Sequence, residues 1–451
     1  MKRIILYLLL FTVGSSSCQQ YETYKIKKTP SKIQLTPEEY ISIAYENPRT
    51  LDEKEVFELI RNFHSKQYPT KSGNITLSTN KIYVLGKDNY PQTRTQPFKQ
   101  QIPMYDVTVN DGENNGSAIV AADERVAGVI AYIPHVAKNK RKAETQRENN
   151  LMLEFTELNL IGHLAFIDSI RTSSMRENTI LKITKQLGIP EEEYSFEDLK
   201  EQIEIIEPES KAYNGISGRI NLEVDWGQDE PYSRFLPTYP DPIFQDLVTR
   251  HYPLGCAVTA LMMVYSYFEP HMSGYDEGKP MTIDWTYLKE NRQIIESNYG
   301  PSDPEDKLRM IGRLGLWIYN GTKTTSSKES DGYYHSATPD SEIISDLDVY
   351  GIAHDPRTII DPQRNSLLQR FYYDAKNYPL ILMGGTRSTE EGGGNHVWVI
   401  DGFTTDKMVH ANMGWNGEEN GWFKISNTLH FETAIGDYST NFWTISKLRK
   451  K

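Results

Sequence analysis

The stretch "GCAVTALMMVYSYFEP" (255–270) constrains the fold more than any other part of the chain. From Ala257 to Phe268 it is apolar almost all round, so a helix there must be buried on every side until Pro270 stops it. Such a helix needs packing partners around its whole circumference, and 451 residues are enough for two or three domains to supply them. Gly255 and Cys256 stand at its start. A sulfur placed there faces unpaired backbone N–H groups and the positive end of the helix dipole, and both favour thiolate over thiol. A lone cysteine is more often a small hydrophobe in a core, so the rest of the sequence has to decide.

The chain has two cysteines. The other, Cys18, closes "MKRIILYLLLFTVGSSSC", in which Lys2 and Arg3 precede an apolar run from Ile4 to Val13 and then small residues. This reads as an export signal over 1–17, too short to cross a membrane as a helix. A cysteine directly after the small residues resembles a bacterial lipobox, although Ser15 stands where a Leu is usual. The expectation is an exported lipoprotein, at the outer membrane or cell surface, held by lipid on Cys18 through a polar tether over 18–36. Cys256 is then the one free thiol, with no disulfide partner. The formal charge of -12 argues against a nucleic-acid partner, since phosphate contacts need clustered Lys and Arg. "KNKRK" (138–142) reads as a solvated loop.

Structure is expected to begin near 37. "TPEEYISIAYENP" looks like a capped helix start, and "LDEKEVFELIRNFHSK" carries apolar residues at helical spacing. "KIYVL", "MYDVTVNDG", "GSAIVAADE" and "VAGVIAYIP", between 81 and 134, predict an antiparallel meander. Helical spacing returns at 151–171, with Leu151, Phe155, Leu158, Ile161, Leu164 and Ile167 near one face. An acidic stretch then leads to "ESKAYNGISGR" (209–219), the predicted border between a domain over 37–215 and another over 216–451. The second opens with Pro-rich loop sequence, continues with the apolar helix, and ends in strand-like segments from 378 to 446. Helix first and strands later is an α+β pattern.

In the second domain, His396 follows a glycine-rich loop and opens a strand, from which an imidazole can lean into a cleft while Val397 and Val399 fill the core. Asn412 lies sixteen residues on (412 − 396), in "HANMGWNGEENGWF", where its amide could orient His396. His396 is 140 residues after Cys256 (396 − 256). Roughly 130–150 is the Cys-to-His and Cys-to-Asn interval of papain-like proteases. His251 and His410 lack the Gly-loop context and read as structural or peripheral. No cofactor is called for, because the histidines and the thiol lack zinc-ligand spacing.

"GCAVTALMMVYSYF" resembles the nucleophile helix of the streptopain family of papain-clan cysteine peptidases, and "YPLILMGG" with "NHVWVIDGF" is similar to that family's histidine segment. "HANMGWNGEENGWF" resembles its Asn-Trp segment, and "WGQDEPYS" the element whose glutamine helps bind the oxyanion. "GSAIVAADERVAGVIAYIP" looks like part of its propeptide. The resemblance implies a papain-like catalytic domain, with a helical half and an antiparallel β half, preceded by an α+β propeptide domain. It implies a secreted cysteine endopeptidase made as a zymogen and acting on protein or peptide substrates. Cys256 would be the nucleophile, His396 the base, Gln228 an oxyanion donor and Asn412 the orienting group. Gly255, Asn395, Met413 and Trp415 would line the cleft.

This sequence departs from the family at three of these places. Met413 replaces the first Trp after the Asn, whose indole lies beside the catalytic His in relatives; Asn395 replaces the Gly before the His; and Ala257-Val258 inverts the usual order. Met413 leaves room for a rival, a catalytically weak or inactive papain-like surface binding protein. A standing inhibitor or adhesion domain is the alternative to a removable propeptide.

Overall fold

The computed structural model describes residues 32–69, 75–85, 101–112, 115–134, 150–206, 217–297, 302–328, 332–361, 365–387, 395–425 and 440–451. The signal, Cys18, the "KNKRK" loop and most of the predicted domain border lie outside the described residues.

Capping chemistry starts the first helices where the sequence places them. Helix α1 (Pro37–Ile43) is opened by Thr36 and α2 (Glu53–Gln67) by Asp52, each in a reciprocal capping box with a glutamate three residues on. Four strands follow: β1 (Thr76–Leu85), β2 (Ile102–Asn110), β3 (Asn115–Ala121) and β4 (Gly128–Ile133). They pair in sequence as the predicted antiparallel meander. Next come α3 (Leu151–Arg171) and α4 (Ser174–Leu187), and the latter ends on Gly188 in the left-handed conformation.

In the second half, α5 (Cys256–Phe268) is buried along nearly its whole length, as its composition requires. It packs with α6 (Glu305–Gly321), whose Leu308, Ile311, Leu314 and Ile318 share its core. Strand β5 (Thr358–Ile360) precedes α7 (Asn365–Asn377), and β6 (Ile381–Arg387), β7 (Asn395–Phe403), β8 (Met408–Asn412), β9 (Gly421–Lys424) and β10 (Thr440–Ile445) complete the sheet. Outside that sheet, Ser273–Asp276 pairs with Lys279–Thr282 and Thr325–Lys328 with Tyr334–Ala337, each antiparallel.

The two halves share one sheet. Its order is β5-β10-β6-β7-β8-β9-β4-β3-β2-β1, antiparallel throughout, and the halves meet where Trp422 pairs with Tyr132 and Phe423 with Ala131. Gly421 makes that meeting possible, because a Cβ there would stand 2.5 Å from the Tyr132 carbonyl oxygen.

Alternation along β7 sorts its side chains between two cores. Val399 joins α5 and α6, with Val397 packed against the same cluster, while Trp398 and Ile400 join α3 on the other face. Helix α3 crosses that second face, and its first residue, Leu151, packs on Gly385, the strand partner of His396. Phe155 follows one turn later, fully buried and edge-on to Phe442 at 5.0 Å and to Phe371 at 6.2 Å. Phe155→Ala should therefore destabilise the docking of α3 by about 3–5 kcal/mol. Chemical denaturation followed by tryptophan fluorescence would read this as an earlier transition, and an unchanged midpoint would contradict it.

Candidate active site

Helix α5 is placed by the loop before it. Gly255 has φ 89°, and a Cβ there would lie 2.9 Å from Cβ of Ser336. Ser336 in turn donates to the Pro253 carbonyl at 2.5 Å. The Leu254 N–H donates to the Gln228 carbonyl at 2.9 Å, so the backbone of Gln228 is tied two residues from Cys256. Thr259, one turn into α5, donates to the carbonyls of Gly227 (3.3 Å) and Gly255 (3.2 Å). The chain 227–228 is thereby fastened to the first turn of the helix, and Gln228 keeps a partly exposed side chain.

Cys256 is a half-buried residue. Desolvation by its surroundings pushes its pKa up, opposed by the backbone N–H groups of Val397, Ala257 and Cys256 itself. The sequence-based expectation of a lowered pKa is thus reversed in this form. The helix-terminal N–H groups do act on the sulfur, but the loss of water outweighs them.

His396 lies on the face of β7 that carries Trp398 and Ile400, with its ring buried. It stacks on Trp415 at 4.5 Å and on Trp398 at 5.8 Å. The indole absent at position 413 is therefore supplied twice over. Its Nε2 lies 2.9 Å from the carbonyl oxygen of Met413. A carbonyl only accepts, so Nε2 carries the proton and Nδ1 is left as the basic nitrogen. Among the described residues no hydrogen bond joins the imidazole to the Cys256 sulfur. Burial pushes the imidazole pKa down to about 4, with the Met413 carbonyl pulling the other way. At neutral pH both members of the pair are thus uncharged.

Among the described residues, no hydrogen bond joins the Asn412 side chain to the imidazole. Its amide donates to the Val224 carbonyl (3.0 Å) and to Asp225 Oδ1 (3.2 Å), and its oxygen accepts from the Gly414 N–H (3.2 Å). The orienting bond comes from the backbone of the next residue, Met413. Asn395 is exposed at the start of β7 and pairs with Thr386. The peripheral histidines are held elsewhere: Nδ1 of His251 lies 2.6 Å from the Leu236 carbonyl, and Nδ1 of His410 lies 2.6 Å from Oδ1 of buried Asp401.

Sequence reasoning missed three residues around this site. Asn420 Oδ1 accepts from the Met413 N–H at 2.8 Å, and its amide donates to Asp225 Oδ1 at 3.0 Å. Asp225 is clamped by Arg292 through Nε (2.7 Å) and Nη2 (3.0 Å). The only signal for Asn420 was its place in "NGEENGWF", where an asparagine before glycine reads as a turn residue.

The depressed pKa of His396 makes stability depend on pH. The unfolded imidazole binds a proton near pH 6.5 and the folded one near 4, so between those values the unfolded state holds more protons. The contribution is full above pH 6.5 and declines as pH falls towards 4. Thermal melts from pH 7 to 4 should show a steeper loss for the native chain than for His396→Gln, and parallel curves would contradict this.

Comparison with known proteins agrees with the motifs. Residues 226–423 match the model of the Peptidase C10 family. No curated protein matches the chain. Among solved structures, the chain is similar to a prointerpain A fragment from Prevotella intermedia, at 14% identity and a TM-score of 0.43, covering 81% of this chain and 98% of that one. It is also similar to the active interpain A cysteine protease of the same organism, at 19% identity and a TM-score of 0.36, covering 53% and 98%. The family identified over residues 226–423, the segment that holds Gln228, Cys256, His396 and Asn412, is the Peptidase C10 or streptopain family.

Proposed function

We propose that the protein is a secreted cysteine endopeptidase made as a zymogen, with Cys256 as nucleophile and His396 as general base and acid. The observation that carries this reading is the placement of Cys256 at the N-terminus of a buried helix, its sulfur facing the Val397 N–H of the strand that His396 opens. In the reaction, Nδ1 of His396 takes the thiol proton, the thiolate attacks the scissile carbonyl, and the imidazolium protonates the leaving amine. Water, activated by the same imidazole, then hydrolyses the thioester. The Cys256 N–H and the Gln228 amide are the oxyanion donors in this scheme. Proteins or peptides are the substrates.

Latency has a physical basis in the same reading. With both groups desolvated and no bond between them, the charged pair that attacks is disfavoured while the N-terminal half covers the sheet. Cutting in the region 211–219 would free the catalytic half, and rehydration would let the imidazole and thiol meet and charge. Cys256→Ala should abolish peptide hydrolysis after trypsin nicking of the purified chain. Gln228→Ala should lower kcat about a hundredfold or more with the fold intact. Alkylation of Cys256 by iodoacetamide should accelerate on nicking, and full activity of the intact, uncut chain would overturn the zymogen reading.

We also propose export and lipidation at Cys18, from the charged, apolar and small-residue order before it. Radiolabelled palmitate should enter the expressed protein and be absent from Cys18→Ser, and equal labelling of the two would refute it. Because the lipid lies on the propeptide side, cutting at 211–219 separates the catalytic half from its anchor unless the halves stay paired through β4 and β9.

A further inference from the structure

We infer that Asn420 is a positioning residue for His396, acting through the Met413 peptide and backed by the Asp225–Arg292 ion pair. This rests on His396 being the catalytic base. The carbonyl that fixes the imidazole tautomer belongs to a residue with no polar side chain of its own, so its orientation must be set from outside. Three bonds set it. The Met413 N–H donates to Asn420 Oδ1, the Gly414 N–H donates to Asn412 Oδ1, and the amides of both asparagines converge on Asp225 Oδ1.

One carboxylate thus holds the side chains that grip residues 413 and 414, and Arg292 holds the carboxylate. The ion pair is closed into a ring by the Asp225 N–H, which donates to the Arg292 carbonyl at 2.7 Å. Asn420 is buried, as is Asn412, so neither amide can exchange these bonds for water without cost. The loop could not hold this shape by itself, since Gly414, Asn416, Gly417 and Glu419 all take positive φ. When His396 becomes an imidazolium, its Nε2–H bond to Met413 strengthens. A carbonyl already aligned by Asn412 and Asn420, which hold the peptides on either side of the Met413 Cα, accepts that bond without reorganising.

The experiment uses the full chain with Cys256→Ala, labelled with [15N]histidine, so that the readout does not depend on activity. The parent should show the Nε2–H tautomer of His396. Asn420→Ala and Asn420→Ser, the latter too short to reach Met413, should both move the resonance towards a mixture of tautomers while near-ultraviolet circular dichroism stays native. In the active chain the same changes should lower kcat about a hundredfold with KM within about twofold, the signature of a misplaced base rather than of lost substrate binding. An unmoved His396 resonance in either folded variant would overturn the proposal. Absence of hydrolysis by the native chain after trypsin nicking would instead end the peptidase reading, and the resonance would still decide the role of Asn420.

Discussion

The pairing of β4 with β9 is the contact on which the two-domain arrangement depends. It is short, with Tyr132 opposite Trp422 and Ala131 opposite Phe423, yet it turns a meander and a catalytic sheet into one ten-stranded sheet. The four strands are apolar on both faces: α2 covers one, and joining the C-terminal sheet lets α3 cover the other across both halves. The cluster around α3 accordingly mixes Ile119 and Ile133 from one half with Trp398, Met413 and Phe423 from the other. The N-terminal half is therefore a structural layer of the C-terminal half, and its removal would expose the α3 side of the sheet.

Desolvation sets the protonation of the thiol and the imidazole. Helix α3 begins over Gly385, beside the strand that His396 opens, and the imidazole is buried against Trp398 and Trp415. A low-dielectric surround favours the neutral forms of thiol and imidazole alike. The helix dipole and three backbone N–H groups act on the sulfur in the opposite sense without prevailing. Electrostatics inferred from a helix terminus hold only when water can also reach the group.

Much of the architecture was legible because it follows from local pattern. The capping residues Thr36 and Asp52, the alternation in the four N-terminal strands and the unbroken apolar face of α5 each have one cheap structural solution. The residues Cys256 and His396 could be picked out in the same way, from glycines and apolar runs that need a specific backbone. Asn412 was also found, but its amide serves Val224, Asp225 and Gly414 rather than His396. Asn420, Asp225 and Arg292 were invisible, since 195 residues separate Asp225 from Asn420 and no periodicity links them.

The sequence alone determined which elements form, that α5 must be surrounded, that Cys256 stands at a helix start and that His396 stands at the head of a strand. Helix start and strand start are matters of spacing and side-chain chemistry along the chain, whereas the meeting of residues 140 positions apart is not. Only the tertiary structure decided that Met413 orients the imidazole through its carbonyl, that Trp415 and Trp398 supply the stacking indoles, and that the thiol is held neutral. Each depends on which groups meet across the sheet and how much water is left between them, and neither quantity is written in local sequence.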